Sequence, residues 1–191
     1  MEVKAIMTFA AGIIWVLLVT VVNIPGRLLE AIRRRGFDPE SFIIEAVEEK
    51  LGLDPREELE TRIAVAEHML RRAREELEKG DAVQASEKLY KTVEECIKVL
   101  ACLEGLEECR RAREEGGWWT RLLARAAFRL SRVLGEQLII QAWEAGYNLH
   151  VHGFREHALD PEGVMQRLPL IEKLVAYTRR RLQEKKHSEP G

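Results

Sequence analysis

The sequence predicts an all-α fold, in which a bundle of about five helices follows a short strand-helix-helix unit. Apolar residues recur at three- or four-residue steps along most of the chain, and no alternating strand pattern follows Ile24. Charged residues make up 32% of the chain, yet the formal net charge is only −2. Balanced charge suits exposed helices with internal ion pairs and is compatible with a heat-stable source. Without an overall basic excess, the composition is not that of a bulk polyanion binder.

The clearest local pattern is a helical hairpin at residues 77–101, LEKGDAVQASEKLYKTVEECIKVLA. Gly80 suits the end of one helix, and Asp81 with Gln84 has the spacing of a capping box at the start of the next. One apolar stripe then follows the second helix: Ala85, Leu89, Val93, Ile97 and Leu100. The charged residues lie mainly outside this stripe, and we expect them to meet water: Lys88, Lys91, Glu94, Glu95 and Lys98.

The N-terminus has two interpretations. Residues 5–24 carry no charge and are about long enough to cross a bilayer, with Arg27 and further arginines on the following side. A membrane anchor would then leave the bulk of the protein on the cytoplasmic side. In the other interpretation the protein is cytoplasmic, residues 19–24 form a strand, and residues 1–18 are an apolar extension.

Residues 19–53 predict a strand, a helix that begins at Pro25, a turn at Gly36, and a helix capped by Asp38. We expect the second helix to carry an apolar face: Phe42, Ile43, Ala46, Val47 and Leu51. This segment resembles the ribbon-helix-helix fold of small dimeric DNA-binding proteins. Its outward strand positions offer no Arg, Lys or Gln to base edges, which argues against DNA reading.

Residues 54–186 predict the helical bundle, and residues 187–191 a disordered tail. Asp54 caps a helix through residue 77, and the second helix of the hairpin ends near Gly105. Residues 106–115 are highly charged and at best partly helical. Residues 116–119 form a loop before three further helices, at about 120–134, 136–157 and from Asp160 onwards.

The three cysteines, Cys96, Cys102 and Cys109, lie on or near the second hairpin helix without CxxC spacing. An odd number in this pattern favours reduced thiols in a cytosolic protein. We therefore expect neither a structural disulfide nor a zinc site.

Three segments together carry a family resemblance: GDAVQASEKLYKTVEECIKVLA, GGWWTRLL and AWEAGYNLHVHGFREHALD. They resemble the archaeal paREP-type repetitive-element proteins of the HEPN superfamily, over roughly residues 21–185. The superfamily is one of helical bundles, often dimeric, and includes RNases, toxin components and non-catalytic members that bind nucleotides or partners.

The resemblance implies a catalytic motif that this sequence does not carry in the expected place. Catalytic HEPN proteins have an Arg followed after four to six residues by a His on a late helix. In the helix at 136–157, His150 and His152 precede Arg155, and His157 follows it after one residue. The only formal match, Arg62 to His68, lies on the first long helix. RNase activity is therefore not the leading expectation.

The helix at 136–157 has one apolar and one polar side. The apolar residues are Ile139, Ala142, Trp143, Gly146, Leu149, Gly153 and Phe154. His150 borders them and is expected to be a half-buried, hydrogen-bonded residue. The polar stripe consists of Gln141, Glu144, Asn148, His152 and Arg155. It is either a solvated face or a shallow pocket in which Arg155 holds a phosphate and Asn148 or His152 hydrogen-bonds a base or sugar.

Tyr147 and Trp143 are candidates for base stacking, or else belong to the core or an interface. A zinc site from His150, His152 and His157 is disfavoured, because His152 points away from the other two on a helix. We expect no metal and no cofactor.

The leading expectation is a non-catalytic binding module for RNA, a nucleotide or a protein partner, acting as a homodimer. Its ligand-binding residues would be Asn148, His152, Arg155 and Tyr147. The first alternative is a metal-independent HEPN-type RNase or toxin component, whose catalytic candidates are His150, His152, Arg155 and His157. The second alternative is a DNA-binding regulator that uses the N-terminal segment. A nucleotidyltransferase is a possible protein partner.

Overall fold

The computed structural model describes residues 22–188, apart from the side chains at positions 48, 49 and 188. Within this range the protein is all-α, as predicted, and contains no strand. The helices are α1 (Gly26–Arg33), α2 (Pro39–Leu51), α3 (Pro55–Glu78), α4 (Ala82–Leu103), α5 (Glu107–Glu114), α6 (Thr120–Leu134), α7 (Gln137–Asn148), α8 (Pro161–Met165) and α9 (Leu168–Ser188). A π-helical segment, Leu149–Arg155, directly continues α7.

The chain divides into two compact units, one up to Pro39 and one from Glu40 onwards. The first contains α1, and the second contains nearly all of α2 and every later helix. Of the predicted strand at 19–24, the described residues 22–24 have no regular secondary structure, and the rest lies outside the described part. Most of the predicted anchor at 5–24 also lies outside it. Among the described residues, no helix is both long and apolar enough to cross a membrane.

The predicted hairpin forms α3 and α4. Asp54 and Glu57 make a complete capping box at the start of α3. Gly80 takes a φ of +78°, and the Asp81 side chain accepts a hydrogen bond from the Gln84 N–H at 2.9 Å. These contacts fix the turn where the sequence places it, so α3 and α4 pack along their length.

The charged residues of α4 are placed differently from the prediction. Lys88, Glu94, Glu95 and Lys98 are each at most 6% exposed and do not meet water. The reason is that α4 is the central helix and contacts α3, α6, α7, the π-helical segment and α9. A helix surrounded in this way has no solvated face, so its charged side chains need partners inside the protein.

The C-terminal half is divided more finely than predicted. Residues 107–114 form a regular helix, α5, and the last predicted helix is two helices, α8 and α9. Pro169 lies in the first turn of α9, where its missing N–H is tolerated and where it would interrupt a longer helix. α9 reaches Ser188, two residues into the predicted tail.

The prediction of three reduced cysteines is wrong. Cys102 and Cys109 form a disulfide, and only Cys96 is a free, buried thiol. Gly105, with a φ of +64°, reverses the chain between α4 and α5 and brings the two Cα atoms to 5.1 Å. That distance suits a disulfide, and it arises from a turn rather than from a recognisable cysteine spacing.

Candidate functional site

α7 and the π-helical segment lie directly against α4 through two glycines. A Cβ atom at Gly146 would lie 3.0–3.3 Å from the Val93 side chain, and one at Gly153 would lie only 2.5 Å from Ser86 Cβ. The other apolar residues predicted for this side are largely buried, with Ile139, Ala142 and Leu149 fully inaccessible. The predicted apolar face is therefore the face that packs on α4.

The backbone changes character at the end of this helix. The Glu156 N–H donates to the Val151 oxygen at 3.0 Å, which is the i to i+5 pattern of a π-helix. His157 then takes a φ of +54°, the only described non-glycine residue with a positive φ. Backbone of these two kinds costs free energy and is concentrated at functional sites. The π-helical hydrogen bonding also changes the number of residues per turn from the 3.6 of an α-helix, on which the predicted polar stripe depends.

His150 is held by the interior of the protein. Its Nδ1–H donates to Glu87 Oε2 at 3.0 Å. The centroid of its ring lies 4.3 Å from that of Tyr90 and 6.0 Å from that of Phe154. Glu87 is 5% exposed and Tyr90 is 3% exposed. Burial, followed by the charge of Glu94, raises the pKa of Tyr90, which keeps its hydroxyl neutral. His150 thus links α4 to the π-helical segment.

The other candidate residues lie on the outside. The His152 side chain is 47% exposed, and its Nδ1–H donates to Glu156 Oε2 at 2.7 Å. Arg155 and His157 are exposed, and Arg155 forms no ion pair with a described residue. The structure therefore places these three side chains on the exposed surface; the sequence left open whether this face is solvated or forms a shallow pocket.

Asn148 and Tyr147 flank that surface. Asn148 is half-buried, and its Oδ1 atom is buried without a hydrogen-bond partner among the described residues. Tyr147 is 44% exposed, and its ring stacks on Trp143 with centroids 6.0 Å apart. Gln141 and Glu144, the remaining members of the stripe, are exposed.

No group of three or more His, Cys, Asp or Glu residues in the described part of the chain is arranged to hold a metal ion. The Arg62 and His68 pair, which matches the catalytic spacing, is split between two ion-pair networks. Arg62 Nη1 donates to Glu95 Oε2 at 2.9 Å, whereas His68 Nε2 lies 2.9 Å from Glu40 Oε1. Each side chain thus has a structural partner.

Sequence reasoning missed a second candidate site. A cavity of about 430 Å³ lies beside Trp118, and Arg62, Lys98 and Arg113 are among its lining residues. These residues come from three different helices, so no spacing in the sequence connects them. The Gly116-Gly117 pair before Trp118 is the one local signal, because it marks an unusual loop at this place.

Comparison with known proteins identifies the chain's relatives. A crystal structure of a Sulfolobus solfataricus protein, structural-genomics target SsR10, is 35% identical, covers 62% of this chain and 96% of that chain, and has a TM-score of 0.57. A solution structure of target SsR10 is 34% identical, covers 65% and 96% of the two chains, and has a TM-score of 0.56. No curated protein matches the chain. The profile of the archaeal PaREP1/PaREP8 family matches residues 61–175, more than half of the chain. The chain therefore belongs to the archaeal PaREP1/PaREP8 family.

Proposed function

We propose that this protein is a non-catalytic RNA-binding module and that the π-helical segment is its contact surface. The observation that carries the proposal is Arg155, an exposed guanidinium without an acidic partner in the described part of the chain. A planar guanidinium is well suited to bidentate phosphate contact.

Groups around Arg155 suit the remainder of a nucleotide. Tyr147 offers an exposed ring that is backed by Trp143, and single-stranded bases stack on such rings. His152 can hydrogen-bond to a base edge or a ribose hydroxyl, and Asn148 can do so only through its NH2 group, because its Oδ1 atom is buried. A nucleotide would use the same groups, but an open surface favours a longer strand over a small enclosed ligand.

The surface is held rigidly, which lowers the entropic cost of binding. Gly153 fixes the segment against Ser86, and His150 fixes it against Glu87 and Tyr90. The polar residues therefore extend from a backbone whose position α4 determines.

An arginine row on α6 supports RNA over a smaller ligand. Arg121, Arg125 and Arg129 recur every four residues, a rise of about 6 Å per step. Phe128, which is 56% exposed, lies under the Arg132 guanidinium at 5.8 Å. All three arginines of the row pair with acidic residues on or near α5: Arg121 with Glu115, Arg125 with Glu108, and Arg129 with Glu107 and Glu108. The exposed Arg132 has no acidic partner among the described residues. Alternating arginine and aromatic side chains are a feature of single-strand binding surfaces.

A HEPN-like architecture and a homodimer belong to the same proposal. Ala46, Val47 and Leu51 on α2 are exposed, the last two at 51% and 58%. An apolar helix face of this kind gains free energy when a second copy covers it. A protein partner such as a nucleotidyltransferase would compete for such a face.

One observation favours the alternative, a metal-independent RNase or toxin component: His152 and Arg155 share the exposed surface. The carboxylates of Glu87 and Glu156 contact Nδ1 of His150 and His152 and leave Nε2 of each ring free to act as an acid or base. Against the alternative stands the residue order: His150 and His152 precede Arg155, and His157 follows it after one residue, so this segment lacks the spacing of the catalytic HEPN motif.

The test is fluorescence anisotropy of a labelled single-stranded RNA with the full chain, in EDTA and over a range of salt. We expect a Kd of about 1 to 100 μM at low salt, weakening as salt rises. The RNA should remain intact, as shown by gel electrophoresis of the same samples. Absence of binding at low salt refutes the proposal, and cleavage in EDTA replaces it with the RNase alternative.

A further inference from the structure

A cavity between α3, α4 and the loop after α5 has the features of a small-molecule site. It has a volume of about 430 Å³, within the usual range for ligand pockets. We infer that it binds a small molecule that joins a planar ring to an anionic group, either a phosphate or a carboxylate. This site is separate from the π-helical surface and goes beyond RNA binding.

The floor of the cavity is a buried ion-pair network. Lys98 is 4% exposed, and its Nζ donates to Glu95 Oε1 at 2.5 Å. Arg62 donates to Glu95 from one side and to Glu58 Oε1, at 3.1 Å, from the other. Lys98 and Arg62 both line the cavity, so two cations lie at its floor, where the anionic group of a ligand would bind.

These charges persist in the interior. Burial disfavours the charge on Lys98, but attraction to Glu95 outweighs it and raises the pKa of Lys98. Burial likewise disfavours the charge on Glu95, but Lys98 and then Arg62 lower the pKa of Glu95. The Lys98 ammonium has three N–H donors, and Glu95 takes one of them.

Cations outnumber acids around the cavity. The basic lining residues are Lys50, Arg62, Lys98 and Arg113, and the acidic ones are Glu45 and Glu58. Glu95 lies behind the floor and is shared between two of the cations. At the mouth, Arg113 is 55% exposed and lies 3.3 Å from Glu58 Oε2. This surplus favours an anionic ligand over a cation.

One wall of the cavity is aromatic and fixed in place. Trp118 is half-buried against the core and also lines the cavity. The Gly117 N–H donates to the Ala112 oxygen at 2.8 Å, and Gly116 takes a φ of +71°, which folds the loop back onto α5. The Cys102–Cys109 disulfide joins α5 to α4. A planar ring could therefore stack on an indole that needs no rearrangement.

The test is isothermal titration calorimetry of the full chain with four probes. Adenosine monophosphate and indole-3-acetate each carry a ring and an anionic group, adenosine lacks the anion, and inorganic phosphate lacks the ring. At least one of the first two should bind with a Kd below about 1 mM, and adenosine and phosphate at least about tenfold more weakly. Binding of the monophosphate alone identifies a phosphate ester, and binding of indole-3-acetate alone identifies a carboxylate. Binding of neither overturns the inference.

Variants locate the site. Trp118→Leu and Arg113→Ala should each weaken binding by about fivefold or more, since stacking and charge-assisted contacts are lost. Arg110→Ala is the matched control, because Arg110 is 63% exposed on the same helix and does not line the cavity. If Trp118→Leu does not fold, Arg113→Ala decides. Binding that neither variant weakens overturns the inference, and Arg155→Ala should leave binding unchanged, which separates this site from the RNA surface.

Discussion

Two groups of ionisable residues, one on α4 and one on the π-helical segment that packs against it, have opposite surroundings. On α4, Glu87, Glu95 and Lys98 are nearly inaccessible, and each has an oppositely charged or hydrogen-bonding partner within 3.0 Å. On the π-helical segment, His152 and Arg155 are exposed, and only His152 has a carboxylate partner. Charge alone therefore does not distinguish a binding surface from a scaffold in this protein, whereas burial and pairing do.

The comparison predicts its largest effect at Glu95. Glu95→Ala leaves Arg62 and Lys98 buried without their shared carboxylate, so we expect a loss of about 3 to 5 kcal/mol in the free energy of unfolding. Urea denaturation measures it. Glu144→Ala, at an exposed position on α7, is the control and should change stability by less than about 0.5 kcal/mol. Equal effects at the two positions would mean that the α4 network does not hold the fold.

The next effect concerns the contact that positions the binding surface. Gly153→Ala places a Cβ 2.5 Å from Ser86 Cβ, which forces the π-helical segment away from α4 and should cost about 2 to 3 kcal/mol. Gly146→Ala meets Val93 at 3.0 Å or more and should cost less. Thermal unfolding of both variants shows which one loses more stability. A larger loss in Gly146→Ala would mean that the contact at Val93 is tighter than the contact at Ser86, contrary to this prediction.

The disulfide gives a smaller effect. It closes a loop with a sequence separation of seven residues, for which chain entropy predicts a stabilisation of about 2 kcal/mol. Cys102→Ser with Cys109→Ser should lower the melting temperature, and dithiothreitol should lower that of the wild type but not of the double variant. A wild-type melting temperature that is insensitive to reductant contradicts the prediction that the disulfide stabilises the fold.

Cys96 should stay unreactive towards thiol reagents in the folded protein, because burial raises its pKa to about 12.

The smallest stability effect is pH-dependent and lies at Glu40. A hydrogen bond from His68, followed by the charges of Lys88 and Arg72, lowers the pKa of Glu40 well below its usual 4.5. A lowered pKa stabilises the folded state at pH values above 4.5, and this stabilisation is lost as the pH falls below that value. Glu40→Gln should therefore cost about 1 kcal/mol at pH 7 and less at pH 3, measured by urea denaturation at both pH values. A cost that does not decline at pH 3 would contradict this assignment.

Local rules predicted the parts of the fold that local contacts determine. Asp54, Gly80 and Asp81 cap the helices as expected, and Gly146 and Gly153 pack on a neighbour as the apolar pattern indicated. The buried charges of α4 could not be predicted, because their surroundings come from helices far apart in the sequence. The disulfide depends on a turn at Gly105, and the π-helical segment approaches Ser86 closely at Gly153. Hydrophobic periodicity predicts neither feature.

In the candidate site, too, local features could be predicted from the sequence, and contacts between distant parts of the chain could not. Sequence reasoning placed Asn148, His152 and Arg155 on one polar stripe, and the structure puts His152 and Arg155 on an open surface. His150 could be assigned as half-buried from its position beside the apolar face, but its partners Glu87 and Tyr90 are 60 or more positions away in the chain. The cavity beside Trp118 has no sequence signature because three helices supply its cations.

The most direct measurement compares Arg155→Ala with Arg180→Ala, which removes another exposed arginine from α9, one that is paired with Glu184. RNA affinity and melting temperature are measured on the same preparations. Arg155→Ala should weaken binding by about fivefold and reduce the salt slope by about 0.7, as expected for one lost phosphate contact on a single strand. Its melting temperature should match that of the wild type, and Arg180→Ala should match in both respects. Unchanged RNA affinity in Arg155→Ala, or a melting temperature several degrees lower, would show that Arg155 serves the scaffold and not the binding surface.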